Sequence, residues 1–190
     1  MNADEHDVTP QGVTPHDVLA FWRAAGPSRW FKKDAGFDAE ITARFLRTYE
    51  LAAAGRLSAW ERTAEGALAL LLVLDQFPRN MFRGDARTYA ADPLARDIAR
   101  RALARGLDGE MPAVDRQFFY LPFMHSEHLA DQEHCVELAR NLGDDEFFQY
   151  AEQHADIVRR FGRFPHRNEL LGRATTPDEQ EFLDGGGFAG

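Results

Sequence analysis

Eight consecutive apolar residues, Ala67–Leu74, constrain the chain more than any other feature. A bilayer span takes about 20 apolar residues, so this run is far too short to cross one and belongs in a protein core. Periodicity alone does not separate a buried strand from a buried helix. The leucine and alanine content favours the helix, because these side chains lose little freedom there. Ser58-Ala59-Trp60-Glu61 upstream reads as a capping box, and no stretch of sustained period-two alternation supplies a partner strand. The run therefore predicts a buried helix that opens near Ser58. It stops before Phe77-Pro78, where proline lacks an amide donor.

Further helix signals follow one another along the chain. Thr14-Pro15-His16-Asp17 offers a capping threonine and proline at the first helical position, ahead of the stripe Val18, Leu19, Phe21 and Trp22. Asp38 reads as the cap of a helix ending at Gly55, and Asp92-Pro93 opens one closed by Gly106. Val114–Leu142 is helical in pattern and broken or kinked at Pro122. Asp145–Phe161 carries apolar residues at helical spacing, and Thr176-Pro177-Asp178-Glu179 is a second capping box. The reading is all-α: one domain over 14–184 with seven to nine helices, a loose polar arm at 1–13, and a flexible glycine-rich tail at 185–190 in which Phe188 has the chemistry to dock.

Composition removes several functions. The net charge is −9, which disfavours nucleic acid and anionic membranes as partners. A single cysteine, Cys135, excludes an internal disulfide framework and fits a reducing, cytoplasmic setting. Acidic neighbours should raise its thiol pKa, which argues against a nucleophile. There is no glycine-rich phosphate loop and no GxSxG elbow, so no cofactor is expected. Only Lys32 and Lys33 are lysine among 22 basic residues; the rest are arginine, the better residue for buried pairs and planar anions.

Three segments concentrate polar residues beside apolar walls. In the first, Asp75, Gln76, Arg79, Asn80 and Arg83 follow the apolar run, where buried polar groups need partners. In the second, Phe161–Asn168 with Arg173, five arginines face one glutamate between Arg159 and Arg173, a local +4 that suits an anion. Arg163 and Arg167 flank a tight turn there, next to His166 and Asn168. In the third, His125 and Glu127 follow an aromatic stretch that includes Tyr120, a setting that shifts pKa values and suits acid–base work. His125, Glu127 and Asp131 are metal-ligand types, but the spacing is not HExxH and no metal is expected.

These stretches together resemble the mainly bacterial domain-of-unknown-function 924 family. The resemblance is carried by Trp30-Phe31 with Phe37-Asp38, Leu74–Asn80 with Phe82-Arg83, Leu121–Glu127, and Phe161–Asn168 with Gly172-Arg173. It spans about residues 16–184. It implies a tetratricopeptide-like right-handed array of antiparallel helices, and it brings no activity from which a catalytic residue is carried over.

Three readings of function follow. The leading one is a pocket lined by the three segments and binding a small phosphorylated or carboxylated molecule. Arg79, Arg83, Arg163 and Arg167 hold the anion, with Arg173 beside them, and Asn80 and Asn168 orient it. His125 with Glu127, then His166, move protons if there is chemistry. The alternative is a tetratricopeptide-like module that binds a protein or peptide without catalysis. The third is a closed polar network that fixes helix registry, in which Asp75, Arg79, Glu127 and Arg167 saturate one another. The sequence leaves the oligomeric state open.

Overall fold

The computed structural model describes residues 12–188. Most of the arm read over 1–13, and the last two residues of the tail, lie outside them. Every regular element among the described residues is helical: α1 (Pro15–Ala25), α2 (Pro27–Trp30), α3 (Ala35–Ala53), α4 (Ala64–Leu71), α5 (Phe77–Met81), α6 (Asp92–Ala104), α7 (Ala113–Met124), α8 (Leu129–Leu142), α9 (Asp145–Phe161) and α10 (Pro177–Asp184), with short 3-10 turns and one π segment between. The chain is thus all-α. The backbone gathers into two compact units, one reaching to Arg83 and taking Arg87–Pro122, the other Gly84–Ala86 and the chain from Phe123.

In the first unit the apolar run does form a buried helix, but with different ends. Ser58–Arg62 is a 3-10 turn, and the cap of α4 is Thr63, whose hydroxyl accepts from Gly66 N at 3.1 Å. The Ser58 box is therefore not the helix start, because Trp60 turns inward and is 1% exposed. Nor does Phe77-Pro78 end the helix. A π segment, Leu72–Gln76, follows α4 directly and hands the chain to α5, with Pro78 inside its first turn. Widening the turn just ahead of the proline relieves its clash with the preceding carbonyl, so the helical path continues. Phe77 is thereby placed among Phe21, Trp22 and Phe45, with ring centroids 5.0–6.3 Å apart. Similarly α7 runs through Pro122, and the break comes after Met124. The helix over 35–53 is capped by Asp34, which accepts from Gly36 N and Phe37 N, rather than by Asp38.

In the second unit α8 and α9 form an adjacent helical pair joined through Gly143, whose φ of 77° reverses the chain at little steric cost. Ile157, Val158 and Phe164 form a buried cluster against which Phe161, Phe182 and Phe188 pack. The glycine-rich tail explains the last of these contacts. A Cβ on Gly187 would lie 2.5 Å from the Phe182 carbonyl oxygen and 2.7 Å from its ring, so only glycine lets the chain fold back there. The Phe188 ring then sits 4.5 Å from that of His154 and 5.3 Å from that of His166.

Candidate functional site

The first polar segment is stapled within the first unit. Asp75 is 1% exposed and accepts from Gln76 Nε2 at 2.6 Å. Arg79 spreads its guanidinium over both oxygens of Asp92, each at 3.1 Å, and donates to the Asp75 carbonyl as well. Arg83 makes the same fork on Asp38, at 2.9 and 3.1 Å, and Asn80 Nδ2 donates to Asp38 at 2.8 Å. Asp38 thus ties α3 to α5 and its flank, while Phe37 beside it fills the aromatic core. Tyr120 Oη, in the same unit, donates to Asp108 at 2.8 Å.

The second and third segments meet within the second unit. Glu127 receives Arg173 through both terminal nitrogens, at 2.7 and 3.0 Å, and the Phe164 amide at 2.8 Å. Arg173 Nε then donates to Asn168 Oδ1 at 3.0 Å. Asn168 Nδ2 donates to Glu179 at 3.2 Å, and Glu179 is forked by Arg163 at 2.6 and 2.9 Å. Five side chains from three parts of the sequence form one chain of charge-assisted bonds, which are shorter and stronger than neutral ones. Arg167 is buried, with its guanidinium 4.5 Å above the Phe164 ring. His125 lies half-buried in the turn after α7, and His166 is half-buried between Phe164 and Phe188.

Electrostatics follow from these partners. Burial pushes the Glu127 carboxyl up, but the Arg173 fork, the Phe164 amide and the charges of Arg173 and Arg167 outweigh it and hold the carboxyl below its usual value. A carboxylate so held keeps its charge at neutral pH and is a poor proton donor. The Arg163 fork, helped by Thr176, lowers Glu179 to about 2 against the burial that opposes it. Cys135 is 0% exposed, and its thiol is pushed up to about 12 by burial rather than by the acidic neighbours the sequence suggests. The native chain is therefore expected to resist a thiol alkylating reagent at mildly alkaline pH and to react once unfolded. Rapid labelling of the folded protein would contradict the burial.

Sequence reasoning finds the arginines and misses their partners. Asp38 and Asp92 read as helix caps, and Glu179 as the far member of a capping box. The box is real, with Thr176 N donating to Glu179 at 2.7 Å. The same carboxylate also anchors Arg163, a second role that spacing alone does not reveal. Asp131, a metal-ligand type in the sequence, accepts from the Ser126 hydroxyl at 2.7 Å. Among the described residues no three His, Cys, Asp or Glu side chains are grouped to hold a metal ion, and no helix is long and apolar enough to cross a membrane.

Comparison with known proteins agrees with these motifs. The family model for bacterial proteins of unknown function, DUF924, matches residues 18–187, and the chain belongs to that family. Among solved structures it is similar to a protein of unknown function, ATU0120, from Agrobacterium tumefaciens. The two are 48% identical with a TM-score of 0.88, over 90% of this chain and 97% of that one. No curated protein matches.

Proposed function

We propose that the chain is a protein-interaction module, and that its arginine motifs are internal staples rather than the walls of an anion site. One observation carries the reading: Arg79, Arg83, Arg163 and Arg173 each direct a two-point fork onto a carboxylate. A guanidinium already neutralised in this way gains little from a second anion, which must displace the first and strand it. Recognition then falls to the surface, where Phe31, Tyr150 and Leu129 stand exposed. The tetratricopeptide-like array implied by the resemblance is an architecture that commonly serves this role.

Isothermal titration with inorganic phosphate, a phosphorylated sugar and a dicarboxylate tests the reading. No saturable binding is expected from any of the three. Stoichiometric binding that is lost in Arg83→Ala or Arg163→Ala would overturn it and restore the anion site.

A further inference from the structure

One patch of the first unit is left unexplained by the staples. Phe31 is 64% exposed, although it belongs to the Trp30-Phe31 motif, and its ring stacks at 6.4 Å on the buried Phe118. Val114, one turn earlier on α7, is 51% exposed. Residues four apart share a helix face, so Val114 and the Phe31–Phe118 stack form one apolar strip along α7. Met111 and Pro112, just ahead of α7 in the chain, line a shallow depression together with Thr63 and Ala64.

Charge is distributed along this strip in a specific way. At the Phe31 end stand Lys32 and Lys33, exposed and the only lysines of the chain. At the depression stand Glu65 and Glu110, both exposed. None of these four makes an ion pair among the described residues. Arg23 also borders the depression, but its guanidinium is held by the buried Asp115 at 2.7 Å. The patch is therefore basic at one end, apolar in the middle and acidic at the other.

A partner for such a patch must carry the same three parts in reverse order. A two-fold rotation of the patch supplies that pattern, because in an isologous contact each end of one copy meets the opposite end of the other. We infer that this surface joins two copies of the chain, with Phe31 of each seated in the depression of the other and Lys32 and Lys33 facing the other copy's Glu65 and Glu110. In this arrangement each Phe31 is enclosed by the other copy's depression and the neighbouring ion pairs stay open to water, where they set register more than affinity. Two copies also cover an apolar strip that an isolated acidic chain would leave in water.

The test uses the full chain in analytical ultracentrifugation. The wild type is expected to sediment as a dimer of twice 21.5 kDa at micromolar concentration. Phe31→Asp is expected to give monomers with an unchanged helical spectrum, since the ring packs on only one face. The double variant Lys32→Glu/Lys33→Glu, and separately Glu65→Lys/Glu110→Lys, should each weaken self-association by roughly tenfold or more through like-charge contact. Mixing the two charge-reversed proteins should restore a mixed dimer, because every rim pair is then opposite in sign again. A monomeric wild type, or a dimer indifferent to Phe31→Asp and to both reversals, overturns the inference. A monomer that also ignores the anions removes this dimer and leaves the interaction reading standing.

Discussion

Gly66→Ala is expected to destabilise the protein severely, although alanine is the better helix former. A Cβ at this position would lie 2.0 Å from the Trp60 carbonyl oxygen and 2.8 Å from its carbon. Both atoms are backbone, so no rotamer change relieves the clash. Either α4 or the 3-10 turn over Ser58–Arg62 must move, and each is fixed by a fully buried anchor, Leu68 on one and Trp60 on the other. The added Cβ also crowds Thr63 Oγ1, at 3.0 Å, and so threatens the cap that starts α4. Overpacking a core costs about 1–3 kcal/mol and occasionally more, and loss of a cap about 1 kcal/mol. The gain from restricting the unfolded chain is only about 0.4–1 kcal/mol. The net loss is then roughly 2–3 kcal/mol, or a fall in Tm of about 4–12 °C for a chain of this size. Thermal unfolding followed by circular dichroism measures it, and a Tm within a degree or two of wild type would show that the turn is free to shift.

Glu179→Ala should be comparably damaging, for an electrostatic reason. The carboxylate is 2% exposed and accepts from Arg163, Asn168 and Thr176. Deleting it strands the Arg163 guanidinium, opens the cap of α10 and frees one end of the five-residue chain. Breaking a buried pair by removing one partner costs about 3–5 kcal/mol. Arg163 is partly open to water, with 27% of its side chain exposed, so a loss of roughly 2–3 kcal/mol is the scale expected here. The same group gives stability an acid dependence. Its folded-state pKa, about 2, lies below the ordinary 4.5, so its contribution is complete above 4.5 and is lost as pH falls toward 2. Glu127, also lowered, acts in the same direction. Urea unfolding of the wild type should therefore show stability falling between pH 4.5 and pH 2, with a shallower fall in Glu179→Gln. Equal slopes in the two proteins would mean that Glu179 is not the source.

These two sites show what the amino-acid order reveals and what it hides. Helix content, the buried apolar run and the Thr14 and Thr176 caps are legible, because capping and 3.6-residue periodicity are local properties. The true start of α4 is not. It depends on Trp60 turning into the core, a long-range choice that leaves Thr63, not Ser58, to cap. The passage through Phe77-Pro78 is hidden for a similar reason: a π turn accommodates proline, and nothing local announces it. The polar motifs are legible as clusters that need partners. Their partners Asp38, Asp92 and Glu179 lie 13–45 residues away in sequence and carry helix-cap signatures of their own. A carboxylate at a helix start reads as satisfied by the backbone, so its second use as an arginine anchor goes unseen. Conversely, a cluster of arginines reads as an anion site until the acids that fill its forks are placed. Phe31 is a third case: nothing in the Trp30-Phe31 pair tells the two rings apart, yet Trp30 is buried and Phe31 stands at the surface.

The motif arginines turn inward, onto carboxylates of their own chain. A double-mutant cycle on Arg163 and Glu179, read by urea unfolding of Arg163→Ala, Glu179→Ala and the double variant, measures this directly. An internal staple predicts strong coupling, with the double variant little worse than either single one. Losses that add to within about 0.5 kcal/mol would contradict the account and return these guanidinium groups to the service of a ligand.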